Sequence, residues 1–315
     1  DKPDSRRYTA GLHVTIAEEP ALRAWSVRRL ANSLADADGI LSVEKETIGE
    51  CPYTPEELLA RLTAPEQRVW LAEAGGRIVG FLAGLCTPGL GNSHVEADLL
   101  AVHPAWQGKG IATALLTALR RDAAGDPELR GAVRPANLPS SRAFARAGFR
   151  PFGEVCDLLL YRILGRVPRA TPAWGGTVRR LSKPEEASQA EALAPGLLPP
   201  AEHIYKACQQ PSLTLLGAFT SEGLAGVIEL VEVHTLLYSG LWLESAYARP
   251  GQPPVLAALS AAAVELAKER DLDSVGCLVP QSQSRLRETL RREGFVPLDS
   301  YRIWKATPLP AGEAP

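Results

Sequence analysis

The sequence is poor in several residue types and patterns. Methionine is absent from all 315 residues. The five cysteines, Cys51, Cys86, Cys156, Cys208 and Cys277, include no two at C-x-x-C spacing. That pattern argues against a zinc or dithiol redox centre and for reduced, mostly buried thiols. Histidine is scarce, and His94, His203 and His234 show no metal-ligand spacing, so no metal site is expected. No apolar run approaches the ~20 residues that span a bilayer. The polar start, Asp1-Lys2-Pro3-Asp4-Ser5-Arg6-Arg7, has no signal-peptide core. A cytoplasmic protein with no membrane partner is expected. Charge of one sign is also lacking: the net charge is −2 and the pI near 6.3. Such a balance gives no long-range pull toward nucleic acid.

What remains is ordinary globular composition, 45% hydrophobic and 22% charged, in a chain long enough for two domains. The chain repeats itself. Val69-Trp70-Leu71-Ala72 followed by Gly76 to Leu82 reads as strand, turn, strand, and so does Thr214 to Ala218 followed by Gly223 to Ile228. Gly80 and Gly226, Pro104 and Pro250, and Gly148 and Gly294 are all 146 positions apart. A single offset held over some eighty residues marks a duplicated unit.

In the first copy, strands are expected to start near His13, Arg68, Arg77, His94, Gly131 and Val155. A long helix is expected from Gly110 to Asp122, and a shorter one from Ser140 to Ala147 that stops at Gly148. The second copy runs from Thr177 to Ala306. Between them, residues 165–176 hold Pro168, Pro172, Gly175 and Gly176 and read as a linker; 308–315 reads as a disordered tail. From His13 to Val69 the first copy carries about 18 more residues than the second does from Thr177 to Leu215. That excess includes the polar stretch 32–50, a candidate substrate lid.

The stretch that carries chemistry runs from Val95 to Ala112. A strand ends at His103-Pro104, a loop follows, and a helix opens at Gly110. A helix start presents unpaired N–H groups and the positive end of its dipole, and glycines let a phosphate approach the backbone. Gly-x-Gly before a helix is by itself unspecific. A P-loop would need Gly-Lys-Ser/Thr, and a dinucleotide-binding turn a third glycine and a later acidic residue.

Gln107-Gly108-Lys109-Gly110-Ile111-Ala112 resembles the pyrophosphate loop of the GNAT superfamily of N-acetyltransferases, Gln/Arg-x-x-Gly-x-Gly/Ala. Asn137 through Ala143-Phe144 to Gly148-Phe149 resembles that family's second motif, Asn…Ala…Tyr…Gly-Phe. The resemblance implies an α/β (α+β) protein of two tandem GNAT folds, each a mixed, mostly antiparallel sheet flanked by helices with a splayed acyl-CoA cleft. The implied divisions are 1–164, the acetyl-CoA-binding catalytic domain, and 177–307, a degenerate copy. Acetyl-CoA is the implied cosubstrate. Its pantetheine arm would meet the backbone of Leu100, Ala101 and Val102, and its pyrophosphate that of Gln107, Gly108, Lys109, Gly110, Ile111 and Ala112. Asn137, Ser140 and Phe144 would lie on the other side.

The implied reaction is direct attack of an acceptor amine on the thioester. Glu96 and Asp98, two apart on one strand, share a face and are the candidate general bases; the alternative is two polar residues on an exposed strand end. The family's motif has a Tyr that protonates the leaving thiolate where this chain has Phe144, so water or another residue such as Tyr161 would take that role. His103 reads as a loop residue. In the second copy the turn positions become Pro253, Pro254, Val255 and Leu256, which removes N–H donors and glycines. That copy is expected to pack on the first as a dimer partner would, giving a monomer with an internal pseudo-dimer. A non-catalytic acyl-CoA sensor or scaffold, and a pure interaction module, are the competing readings.

Overall fold

The computed structural model describes residues 24–49, 51–91, 93–125, 128–163, 174–236, 238–249 and 253–310. In the first half, strand β1 (Ser26–Arg29) is followed by helices α1 (Leu34–Thr47) and α2 (Pro55–Leu62). Then come β2 (Gln67–Ala74), β3 (Arg77–Thr87), β4 (His94–Val102), α3 (Ile111–Asp122), β5 (Leu129–Val133), α4 (Leu138–Arg146) and β6 (Arg150–Arg162). The second half repeats this: β7 (Thr177–Arg180), α5 (Pro184–Leu193), α6 (Ala201–Ala207), β8 (Leu213–Thr220), β9 (Gly223–His234), β10 (Ser239–Ala248), α7 (Pro253–Glu269), β11 (Ser274–Pro280), α8 (Ser284–Arg292) and β12 (Val296–Ala306).

The strands alternate cleanly between two faces. In the first half Ala72, Leu82 and Val95 pack on α3 and α4, while their neighbours Leu71 and Phe81 pack on α1 and α2. The second half buries α7 and α8 on one face and α5 and α6 on the other. Local signals place the helices. Thr54 and Glu57 form a reciprocal cap at the start of α2, and Asn137 accepts from the Ser140 N–H at the start of α4.

The described strands form one sheet, ordered β1-β2-β3-β4-β5-β12-β6-β11-β10-β9-β8-β7. The final strand of each half therefore lies in the other half's sheet. β12 pairs with β5, from Leu129↔Ala306 to Val133↔Arg302, and β6 pairs with β11, from Cys156↔Pro280 to Arg162↔Ser274. Their cores are exchanged as well: Trp304 and Ala306 join the first half's core, Leu159 and Tyr161 the second's. The hairpins reach across too. Leu236 is buried among α1 and α2, and Leu85 and Leu90 sit in the core beneath α5 and α6.

Two expectations change. The strand expected near His13 lies outside the described residues, and the edge strand of the first half is β1 at Ser26. Nor is 32–50 a lid: its centre is α1, with Ala37, Ile40 and Val43 buried against the sheet, and α5 is its counterpart. From first to second strand the halves span 26–67 and 177–213, so the real excess is small. Arg28 paired with Asp36, and Arg179 with Glu186, fix these strands to their helices in the same way.

Candidate active site

β4 and β5 run parallel but pair only at Val95↔Leu129 and Glu96↔Arg130, after which they separate. On its other side β4 pairs with β3, where Ala83↔Leu99 is followed by Gly84↔Ala97, so Asp98 is a one-residue bulge. The bulge and the parting of the strands open a gap beside the last four residues of β4. The His103 N–H bonds the Val79 carbonyl of β3 at 2.9 Å, which fixes the direction of the alternate backbone groups. The peptide groups of Leu100 and Val102 therefore face the gap. Ala101 is not brought there: its backbone faces β3 and its side chain is buried on the α1–α2 face.

At the end of β4 a single 3-10 turn, Pro104–Trp106, leads into the glycine turn. The His103 ring accepts from the Ala105 N–H at 3.2 Å, a loop role. The Gln107 carboxamide donates to the Val102 carbonyl at 3.1 Å and ties the turn to the strand. Gly108 and Gly110 have φ of +76° and +81°, and a Cβ at either would meet nothing within 4 Å. Glycine is thus required for conformation, while the space in front stays open. Gly110 is the N-cap of α3 and no side chain caps it, so the N–H groups of Ile111 and Ala112 point outward uncapped. Lys109 lies over the Trp106 ring at 4.1 Å, which holds its charge at the rim.

Across the gap, exposed Asn137 is occupied as a cap and Ser140 is half-buried. Phe144 is buried, edge-on to Phe149 at 5.0 Å and near Trp304. Tyr161 cannot take the thiolate-protonating role at this cleft. It rides on the exchanged strand β6 into the second half's core, against Phe295.

On the sheet face opposite α3, a cavity of about 250 Å³ touches Glu96 and Asp98 and is walled by second-half residues including Thr235, Trp242 and Leu278. Glu96 is half-buried and Asp98 is exposed, both lining this cavity, and desolvation by the surrounding protein dominates their titration. Glu96 is pushed up to about 8, with Arg130 pulling it down and Asp98 adding to the rise. Desolvation raises Asp98 to about 7, against a hydrogen bond from Thr235. His94, 3.7 Å from Glu96, is lowered by burial to about 4 and is neutral at neutral pH. Arg130 bonds Glu244 at 2.5 Å and Glu128 at 2.8 Å, and Lys305 bonds Glu128 at 2.9 Å. This chain of charges joins β5, β10 and β12 at the cavity wall.

The site thus combines a gap beside a bulged strand, an uncapped glycine turn at a helix start, and raised carboxyls beyond it. The model of the Acetyltransferase (GNAT) family matches residues 37–149. That segment, about a third of the chain, resembles a GNAT acetyltransferase domain. Three solved structures share its fold over most of its length. A tandem GNAT protein from the clavulanic acid biosynthesis pathway is 19% identical, with a TM-score of 0.57, covering 91% of this chain and 99% of its own. A GCN5-related N-acetyltransferase from Sphaerobacter thermophilus is 18% identical, with a TM-score of 0.60, covering 93% and 98%. A GCN5-related glucosamine N-acetyltransferase region of a fungal multi-domain β-N-acetylglucosaminidase is 18% identical, with a TM-score of 0.59, covering 93% of this chain and 39% of its own. At these identities the likeness is one of fold. A search of the curated proteins finds no match. Among the described residues no helix is long and apolar enough to cross a membrane, and no His, Cys, Asp or Glu cluster suits a metal ion.

Sequence reasoning missed Arg130, Trp242, Thr235 and Glu244's ion pair. One signal was available. At the 146 offset Glu96 becomes Trp242 and Arg130 becomes Gly276, so both members of a pair change together.

Proposed function

We propose that the chain is an acyl-CoA-dependent N-acyltransferase that acylates a primary amine at the first half's cleft. The observation that carries this reading is the order along β4: Glu96 and Asp98 at a cavity, then the gap-facing backbone of Leu100 and Val102, then the uncapped glycine turn. These groups suit acetyl-CoA. The turn from Gln107 to Ala112 would hold its pyrophosphate, the β4 backbone its pantetheine amides, and Asn137 and Ser140 the opposite side. The cosubstrate supplies a thioester carbon open to nucleophilic attack.

The protein's task is then to deliver a neutral amine. A Lys-like ammonium has a pKa of about 10.4, so an ordinary Glu would take its proton at a cost of about 8 kcal/mol. With Glu96 raised to about 8, that cost falls to about 3 kcal/mol. Glu96 is the general base in this reading; Asp98, bonded to Thr235 from the second half, positions the ammonium. Glu96 takes one proton from the ammonium; attack by the neutral amine then forms the C–N bond and breaks the C–S bond, and the second proton shed by the nitrogen passes to water at the open gap. With Phe144 buried in the core, water at the open gap protonates the departing thiolate.

The second half keeps the strand geometry of the first. β10 and β11 pair only from Gly240↔Ser274 to Trp242↔Gly276, and Glu244 is the bulge. It differs at the turn. α7 begins at Pro253, four positions before the counterpart of α3's first residue, so helix replaces the glycine turn. We therefore assign no CoA site to it. The buried Phe144 also favours a second reading, an acyl-CoA sensor without turnover. Thiol release from acetyl-CoA across an amine panel separates the two. Amine-dependent release that falls at least 100-fold in Glu96→Gln supports the transferase. Acetyl-CoA binding with no amine-dependent release supports the sensor.

A further inference from the structure

The cavity beside Glu96 lies where the internal symmetry brings equivalent positions together. Asp98 and Glu244, Glu96 and Trp242, and Ala132 and Leu278 are equivalent at the 146 offset, and all six line one space. The symmetry is broken at one place. In the first half the last paired position before the gap is Glu96↔Arg130, and in the second it is Trp242↔Gly276. The indole lies so close over Gly276 that a Cβ there would come within 3.0 Å of the ring. Tyr238 stands perpendicular to the indole, with ring centres 6.0 Å apart. Trp242 thus occupies the second half's own strand junction and lines the shared cavity.

We infer that the second half serves as the acceptor wall, and that the acceptor is a small primary amine with a flat apolar group that stacks on Trp242 while its ammonium meets Glu96 and Asp98. This rests on the transferase reading for its chemistry, and on the cavity alone for its shape. The space of about 250 Å³ is smaller than the pockets of drug-sized ligands, roughly 300–1,000 Å³. Leu278 and Ile303 add apolar lining beside Trp242, and Glu96, Asp98 and Glu244 line the same space. A diamine has no flat apolar group to cover Trp242, Leu278 and Ile303, and would leave that surface in water. An amino acid would bring its carboxylate toward Glu96, Asp98 and Glu244, while Arg130 is already engaged by Glu128 and Glu244.

Calorimetric titration of the full chain, in the presence of CoA, tests this without requiring turnover. The ligands are 2-phenylethylamine, butylamine, putrescine, phenylalanine and 2-phenylethanol. Phenylethylamine is expected to bind at least tenfold tighter than each of the others. Trp242→Phe should keep that preference and Trp242→Leu, close in volume, should lose it. Equal or tighter binding of putrescine or phenylalanine overturns the inference, as does a Trp242→Leu protein with unchanged preference. The wild-type comparison stands even where a variant does not fold. Aromatic-selective binding without thiol release from acetyl-CoA would count against the transferase and leave this pocket standing. Turnover that prefers putrescine would do the reverse.

Discussion

Glu96 concentrates the chemistry because protein mass raises its pKa while a cavity keeps it reachable. A base must be ionised to accept a proton, so kcat/KM is expected to climb with pH through the range 7 to 8. Arg130 lowers the Glu96 pKa, so Arg130→Met should move that rising limb to higher pH. The same substitution leaves Glu128 and Glu244 without their shared partner and should cost about 3 kcal/mol of stability, read from denaturant unfolding. For folding, the sign is opposite to that of a paired carboxylate. Glu96 stays protonated in the native state while an unfolded Glu ionises above about pH 4.3, so stability falls between there and about pH 8. Glu96→Gln should flatten this loss, visible as a higher melting temperature at pH 8 than the wild type. The two carboxyls were legible in the sequence because strand alternation puts i and i+2 on one face. Arg130 and Trp242 were not, since their significance arises from contacts between residues more than a hundred positions apart.

The decisive contrast between elements is that of α3 and α7. Both are helices entered from a bulged strand, yet one begins at an uncapped glycine and the other at Pro253. Gly110→Ala forces a side chain into the left-handed region and should cost about 1–2 kcal/mol in folding, measured by chemical denaturation, with open space around the new methyl group. Lys109→Ala should weaken acetyl-CoA binding only modestly, because that ammonium already rests on Trp106. Helix limits here were readable from caps and periodicity to within two residues at α3 and α4. The first strand was not. The repeated Val-Arg-Arg-Leu at 27–30 and 178–181 marks it, but its offset of 151 differs from the 146 found downstream. A search at one fixed offset passes over it, and with it the place of α1 in the core.

At the scale of the whole molecule, the halves are bound by exchange rather than by contact alone. β12 closes the first half's sheet and β6 the second's, so neither half keeps a complete core when separated. Residues 24–163 and 174–310 expressed singly should be insoluble or unfolded, and should form a soluble pair when produced together. Duplication was plain in the sequence, but the crossing of the terminal strands was not: strand order depends on pairing partners, which no local pattern specifies. The central claim is that this joined molecule holds one acyl-CoA, at the glycine turn of the first half. Calorimetric titration of acetyl-CoA into the wild type and a folded Gly110→Trp variant tests it most directly. One site per chain, lost in the variant, is the predicted result. Two sites, or binding that survives Gly110→Trp unchanged, would contradict it.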